Sequence, residues 1–547
     1  PPASQFRLTR NPQSRFTVRR IRAYHCPNIF VNSSPAHMLS LFRVSLVSID
    51  DFESHHLRML LNEIFGEENF IAQLVWEKGR KNDAKLFSVG HEYITIYARS
   101  KATLRDDKTI WREPKPGAQE IWEEYSRLRE KYPKDDSAIE AELTSWYQSL
   151  PKGHPAKALS RYKRVDEFGP WRDRDISWPG GDGPRYDVLH PKTKQPCRVP
   201  ERGWGFATSE SMQRHIEIGL VVFREDHTNP PIQKLHLKPR YEELESGLNA
   251  NQADNELPFD SEDENDDNEV GLQVMGSYIY KQSQVAVKYL KALMGAKVFD
   301  NPKDHEILAR LIRYCTSDND LIVDFFAGSA SAAEAVLNLN HTNKNSLRRF
   351  ILVQLPEPTR RRKANGGYYE TTAYKRGYKT IADVSKGRIR RVIAKLRLEK
   401  VDKFDFASNQ EEDLGFKIFK LSQPNIQQWP IDEESDPESY TQKLSLFNDP
   451  LIPGWKPENV IWEVALREGF SLNTGFASKD LPNGNKVHEV TDPDTGQRFL
   501  ICLDDQIRAD FAKHCELAPD SLLVCRDVAL DDSAAANLAL QCRLKTI

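Results

Sequence analysis

The stretch Leu321–Asn340, LIVDFFAGSASAAEAVLNLN, constrains this chain more than any other. Leu321, Ile322 and Val323 run into Asp324. The small residues Ala327-Gly328-Ser329-Ala330-Ser331 follow, and then Ala333, Val336 and Leu337 recur on one helical face. This order predicts strand, tight turn and helix, the unit that opens a nucleotide-binding half of a doubly wound sheet. Small residues let the backbone approach a ligand, and a helix N-terminus offers N–H groups beside it. A carboxylate cannot sit unpaired in an apolar core. Asp324 therefore belongs at the C-terminal edge of the sheet, where such folds bind ligands. By shape alone the pattern also describes any buried strand–helix turn.

The wording of the turn is narrower than its shape. Asp324, Phe326, Ala327, Gly328, Ser329 and Ser331 match Asp-x-Phe-Ala-Gly-Ser-Gly-(Thr/Ser)-Thr, and the stretch resembles the S-adenosylmethionine motif of amino-group DNA methyltransferases. Ala330 stands where that pattern has Gly, and Ala332 where it ends in Thr. A methyl group at 330 carries a cost if the backbone there has positive φ or must approach the cofactor closely.

The resemblance extends in family order over roughly residues 42–547. VSIDD, LRMLLNEIFGEENFIAQLVWEK and HEYITIYARS are similar to β-group adenine methyltransferases, especially the modification subunits of type III restriction–modification systems. So are DLGFKIFKL, FLICLDDQI and VCRDVALDDSAAANLAL near the end. The implied fold is α/β: a Rossmann-like methyltransferase sheet with an inserted target-recognition domain and a C-terminal α+β region. The implied division has an irregular basic segment at 1–41 and a first part of the methyltransferase core at 42–99. The recognition insert takes 100–248, an acidic linker 249–270, and the cofactor-binding part of the core 271–400. A dimerisation and partner region fills 401–547.

The residues support this layout by their own patterns. Residues 1–49 hold seven Arg and no Asp or Glu, which reads as a nucleic-acid arm or as a damaged start with little structure. Phe42–Ile49 reads as a strand ended by Asp50-Asp51. These two carboxylates are either helix caps or, as the resemblance implies, residues near the cofactor side of the sheet. Leu57, Leu60, Leu61, Ile64 and Phe65 predict a helix stopped by Gly66, and 70–76 and 92–98 predict strands around a basic loop. One helical stretch is predicted over 119–150. A second helix, from His305 to Cys315, turns Ile307, Leu308, Leu311 and Ile312 inward. Glu256 to Glu269 carry only negative charge, as a solvated linker does.

Several residues are candidates for function. Lys297–Lys303, KVFDNPK, resembles the family's second cofactor-binding segment, so Phe299, Asn301 and Lys303 join the motif residues. Gln354 and Glu357, in the second half of a predicted strand stretch at 348–358, are candidates for the ribose hydroxyls. In the insert, Arg161, Lys163, Arg164, Arg172, Arg174, Arg198 and Arg202 suit phosphate contact or guanine readout. Trp171, Trp178 and Trp204 either stack on bases or form the insert's own core, the second being the commoner fate. Residues 360–397 carry thirteen Lys/Arg, beginning with Arg360, Arg361, Arg362 and Lys363, against Glu370 and Asp383. A net +11 is more than solubility needs and predicts a phosphate-contacting surface.

The implied activity is adenine N6 methylation of double-stranded DNA with S-adenosylmethionine, the target base being flipped out of the duplex. The family's Asp-Pro-Pro-Tyr loop, which would bind the exocyclic amine, has no recognisable counterpart. Asn229-Pro230-Pro231-Ile232 offers no aromatic ring and sits in the insert, so it is read as an extended segment set by its prolines. Catalytic residues are therefore unassigned. The expectation is an N-terminally truncated or degenerate modification subunit with little or no methyl transfer, the alternative being a non-catalytic DNA-binding specificity subunit. Implied partners are DNA, a second copy of the chain and a restriction subunit, in a prokaryotic cytoplasm. Seven cysteines without a C-x-x-C pair predict reduced thiols and no metal site, and no apolar run reaches membrane-spanning length.

Overall fold

The computed structural model describes residues 43–79, 86–178, 182–240, 271–343, 345–363, 366–402, 413–427 and 449–547. The basic segment 1–41 and the linker 249–270 lie outside the described residues. The chain divides into two compact units, 1–415 and 416–547.

In the first unit, strand β1 (Val44–Ile49) leads into helix α1 (Ser54–Phe65), which buries Leu57, Leu61 and Phe65 and ends at Gly66 with φ +87°. Neither Asp50 nor Asp51 caps it: Glu53 holds the N-cap position and makes no side-chain cap bond. Instead the Tyr93 hydroxyl donates to Asp51 Oδ1 at 3.1 Å. Strands β2 (Phe70–Glu77) and β3 (His91–Ala98) lie where the sequence predicts them.

Within residues 100–248 there are two helices where one is predicted over 119–150, α2 (Ala118–Lys131) and α3 (Asp136–Ser149). Pro133 interrupts the first, and the Asp135 side chain caps the second through Ala138 N at 3.0 Å. Their apolar faces, including Ile121, Leu128, Ile139 and Leu143, form one core. Strands β4 (Arg164–Asp166), β5 (Gly169–Asp175), β6 (Val221–Val222) and β7 (Ile232–His236) make an antiparallel sheet in the order β4-β5-β7-β6. Trp171 and Trp204 are buried, so their rings are core; Trp178 is half-buried.

Strand β8 (Tyr278–Tyr280) returns to the first sheet and pairs parallel with β2, giving the order β1-β3-β2-β8. Helices α4 (Ser283–Met294) and α5 (His305–Cys315) follow. Ile307 and Leu311 of α5 pack against Leu74, Trp76, Ile94 and Ile96 of the sheet. Then come β9 (Leu321–Asp324), α6 (Ser331–Thr342) and β10 (Arg349–Leu352), with β9 and β10 parallel in register. The strand predicted over 348–358 is confined to its first residues, and the proline-containing stretch beyond it leaves the ladder. A hairpin of β11 (Arg361–Arg362) and β12 (Tyr368–Tyr369) precedes the long helix α7 (Ile381–Asp402).

In the second unit helix α8 (Pro457–Arg467) precedes a mixed sheet of β13 (Gly475–Asp480), β14 (Lys486–Thr491), β15 (Arg498–Cys502), β16 (Leu522–Cys525) and β17 (Arg543–Thr546), in that order. Val460, Ile461 and Val464 of α8 pack on Phe499, Ile501 and Val524. Asp531 caps the helix Asp532–Ala539 by accepting Ala534 N–H at 2.7 Å, and Asp504 accepts Lys486 N–H at 2.8 Å from the start of β14. No described helix is long and apolar enough to cross a membrane.

Candidate functional site

The turn between β9 and α6 is a compact, strained loop. Phe326 N–H donates to Asp324 Oδ1 at 2.9 Å, and Ala330 N–H to the Ala327 carbonyl at 2.6 Å. Gly328 has φ +53° and Ala330 φ +62°, so two of these residues are left-handed. Position 330 therefore does require positive φ, and a residue with a Cβ occupies it at a cost of about 1–2 kcal/mol. Gln354, two residues past β10, reaches across and accepts Gly328 N–H at 2.7 Å.

The Asp324 carboxylate is the electrostatic centre of the turn. Burial raises its pKa, opposed only by the hydrogen bond from Phe326 N–H. A carboxylate left with so little compensation favours a ligand that brings a cation or hydrogen-bond donors. The Phe326 ring beside it is 48% exposed, a flat apolar surface open to a ligand.

Two distant segments meet this turn. Phe299 lies against Gly328: a Cβ placed on that glycine would be 3.5 Å from Phe299 Cζ. The Ser331 hydroxyl donates to the Lys303 carbonyl at 2.8 Å. Lys303 in turn pairs with Glu92 on β3, which also holds Lys78 at 2.5 Å. Burial first, then the Lys303 charge, lower the Lys78 pKa to about 8. Burial would raise the Glu92 carboxyl, but the two ammonium groups outweigh it and hold it below its usual range. Thus the structure brings Phe299, Lys303, Asp324, Phe326, Ala327, Gly328, Ser329, Ser331 and Gln354 together. Glu357 lies three residues past Gln354, half-buried, and its carbonyl accepts Ile381 N–H at 2.9 Å. Asn301 is exposed.

Behind the turn sits a group that the charge pattern hides. Arg388, one of the thirteen cations of the basic run, is 1% exposed. Its Nε donates to Glu334 Oε2 at 2.5 Å, and its Nη1 donates to Ser329 Oγ at 2.9 Å and Ser331 Oγ at 2.7 Å. Tyr289 donates its hydroxyl to the other oxygen of Glu334, and His305 stacks on Tyr289 with centroids 4.4 Å apart. Burial raises the Tyr289 phenol, which stays protonated to donate, and lowers the His305 pKa. For Arg388, the expectation of a phosphate-facing cation is overturned, because a fully buried guanidinium meets no phosphate. Its spacing carried the signal: Val384, Arg388, Val392 and Leu396 recur every four residues on the buried stripe.

Of the other basic candidates, Arg161, Lys163, Arg164, Arg174, Arg198 and Arg202 are exposed, with Arg164 Nε 3.4 Å from Asp173, and Arg172 is half-buried. Arg360, Arg361, Arg362 and Lys363 are exposed on and beside the β11–β12 hairpin, Arg361 being paired with Asp300. In Asn229-Pro230-Pro231-Ile232, Ile232 is buried as the first residue of β7 and offers nothing to a base.

A family profile of DNA methylases matches residues 38–355. The chain belongs to the DNA methylase family. The match takes in β1, the insert, the Asp324 turn and β10. Among similar proteins, the Mod subunit of the type III restriction–modification enzyme EcoP15I of Escherichia coli is 28% identical over 448 residues, 81% of this chain and 58% of that one. The EcoPI Mod subunit of Escherichia phage P1 is 25% identical, over 84% of this chain and 60% of its own. The type II methyltransferase M.KpnI of Klebsiella pneumoniae is 25% identical, over 64% of this chain and 70% of its own. The chain thus spans less than two thirds of the two Mod subunits it resembles. DNA methylases take their methyl group from S-adenosylmethionine, and a half-buried carboxylate with one backbone donor beside an exposed aromatic residue suits a ligand that carries a cation and a flat base.

Proposed function

We propose that this chain is a DNA adenine-N6 methyltransferase subunit of the type III modification kind, with the Asp324 turn as its S-adenosylmethionine seat. The observation that carries the reading is the Asp324 carboxylate, half-buried at the end of β9 with a single backbone donor and raised in pKa by desolvation. In this reading β9, β10 and the four-stranded sheet are parts of one Rossmann-like methyltransferase sheet, and residues 100–248 are the target-recognition module.

The chain's own residues divide the work. Asp324 takes the cationic and hydrogen-bonding part of the cofactor, Phe326 and Phe299 flank its base, and Glu357 is placed for the ribose hydroxyls. Lys303 ties this seat to the start of β3 through Glu92. S-adenosylmethionine, once bound, supplies the methyl group. Duplex DNA is held by the exposed cations of the insert, Arg161, Lys163, Arg164 and Arg202, and by Arg360–Lys363, through charge that carries no sequence information. The described residues offer no Asp-Pro-Pro-Tyr loop to receive the adenine amine, so methyl transfer by this chain alone is expected to be weak. The region from 401 onward is read as the surface for a second copy or a restriction subunit.

Calorimetry of the purified chain with S-adenosylmethionine, with and without duplex DNA, tests the reading. One cofactor per chain, lost in Asp324→Ala, is the expected result. A folded chain that takes up no cofactor in either condition overturns the seat, and methyl transfer well above background overturns the weak-activity part.

A further inference from the structure

The β11–β12 hairpin grows from the rim of the cofactor seat and presents more than charge. It begins just past Glu357 and closes through the bridge between Pro358 and Thr380, which hands the chain to α7. Arg361 faces Tyr369 and Arg362 faces Tyr368 across its two ladder pairs. Lys363 N–H donates to the Gly367 carbonyl at 2.6 Å, and Gly366 turns the chain with φ +87°. So short a ladder cannot bury aromatic rings. Tyr368 is 54% exposed and Tyr369 43%. The Arg360 guanidinium lies 4.5 Å from the Tyr368 ring centroid. Between residues 359 and 369 there are four cations and no Asp or Glu. Arg361 differs from its neighbours: it reaches back to Asp300, whose carboxylate also holds Lys297 at 3.2 Å. Asp300 lies between Phe299 and Asn301, so this ion pair fastens the hairpin to the second cofactor segment.

We propose that this hairpin is a DNA-stacking element: Tyr368 and Tyr369 stack on bases left unpaired when the duplex opens, while Arg360, Arg362 and Lys363 take the flanking phosphates. Exposed rings set among cations are the combination that binds unpaired nucleic acid, because every base has a π-face and every nucleotide a phosphate. A surface serving only as a phosphate track needs no rings. The Asp300–Arg361 pair gives the element a fixed place beside the seat, where a displaced base has to be managed. The inference rests on the DNA-methylase reading but not on cofactor binding, so the two fail separately.

Fluorescence anisotropy with the purified chain tests it, using a matched duplex and the same duplex with a central mismatch, each across a salt series. A mismatched base costs least to unpair. The chain should bind the mismatched duplex more tightly. Tyr368→Ala and Tyr369→Ala should each lose about tenfold on that duplex, with Phe in either place restoring it. Their salt slopes should match the parent's, whereas Arg362→Ala should lower the slope by about one. Cofactor calorimetry on the same variants, expected to be unchanged, shows that the fold and the seat survive. If the tyrosine variants keep the parent's affinity for both duplexes, or if the folded chain binds no DNA, the proposal is overturned. Loss of cofactor binding alone would overturn only the seat.

Discussion

Two parts of one basic run meet opposite fates. Arg360, Arg362 and Lys363 stand in solvent on and beside a hairpin, whereas Arg388, on the helix that follows, lies at 1% exposure against Glu334 and the two serines of the Asp324 turn. In sequence they belong to the same uncompensated block. What separates them is where the compensating charge lies: Glu334 is fifty-four positions away, on the helix that the turn itself opens. A guanidinium in solvent is available to a partner. One that satisfies a buried carboxylate and two hydroxyls is part of the scaffold.

The largest expected effect follows from that difference. Arg388→Met removes the guanidinium that, among the described residues, is bonded to the Glu334 carboxylate, itself 1% exposed, and leaves Glu334 with its Tyr289 contact and the His305 imidazole 3.8 Å away. Breaking a buried pair from one side costs about 3–5 kcal/mol. Denaturant unfolding of the variant should show a loss of that size, and cofactor binding should fall with it because Ser329 and Ser331 lose their donor. Arg362→Met, on the hairpin, should leave the midpoint within about 0.5 kcal/mol. Equal midpoints for the two variants would erase the distinction.

This contrast marks what the sequence discloses. The Asp324 turn, the helix from His305 to Cys315 and strands β1 to β3 were legible because their apolar periods are local and uninterrupted. The single helix expected over 119–150 failed at Pro133, a breaker that outweighs the aromatic recurrence around it. Asp51 looked like a cap, yet it accepts from Tyr93, forty-two residues on, a partner only the sheet register supplies. The same holds for Lys303, whose bond to Glu92 spans 211 positions, and for the Lys78 ammonium that shares it. Residue types pointed to groups that come together around the Asp324 turn. They did not tell which distant charges would hold those groups in place.

A middle-sized effect concerns the cofactor turn itself. Ala330 takes a left-handed conformation where the family pattern has Gly, and it is fully buried. Its methyl group therefore packs against protein and does not enter the open side of the seat. Ala330→Gly should relieve the backbone and raise stability by about 1 kcal/mol in denaturant unfolding. Cofactor affinity measured by calorimetry should change by less than about threefold, under the 1.4 kcal/mol that a factor of ten represents. A large gain in affinity would mean that the methyl group obstructs the seat after all.

The smallest effect, and the one that ties the turn to its ligand, is the pH dependence set by Asp324. Burial raises its folded-state pKa above the unfolded value. The folded chain thus binds that proton more tightly than the unfolded one. The carboxyl's contribution to stability is fully present below the unfolded pKa and is lost as pH rises through the folded pKa. At neutral pH the ionised carboxylate is a cost the apo protein carries for its ligand. Asp324→Asn keeps the shape and removes the charge, so the variant should gain stability over the parent at pH 7, and the gain should shrink toward pH 4. Its cofactor binding should be lost at both. Glu92 behaves in the opposite way, since Lys303 and Lys78 hold its carboxyl below its usual range: its contribution is present above the unfolded pKa and disappears as pH falls. Parallel unfolding curves for Asp324→Asn and Glu92→Gln across pH 4–7 should therefore diverge from the parent in opposite directions. A common direction would mean that the carboxylate at the end of β9 is no more strained than the one bridging the lysines, and that the seat is not built around it.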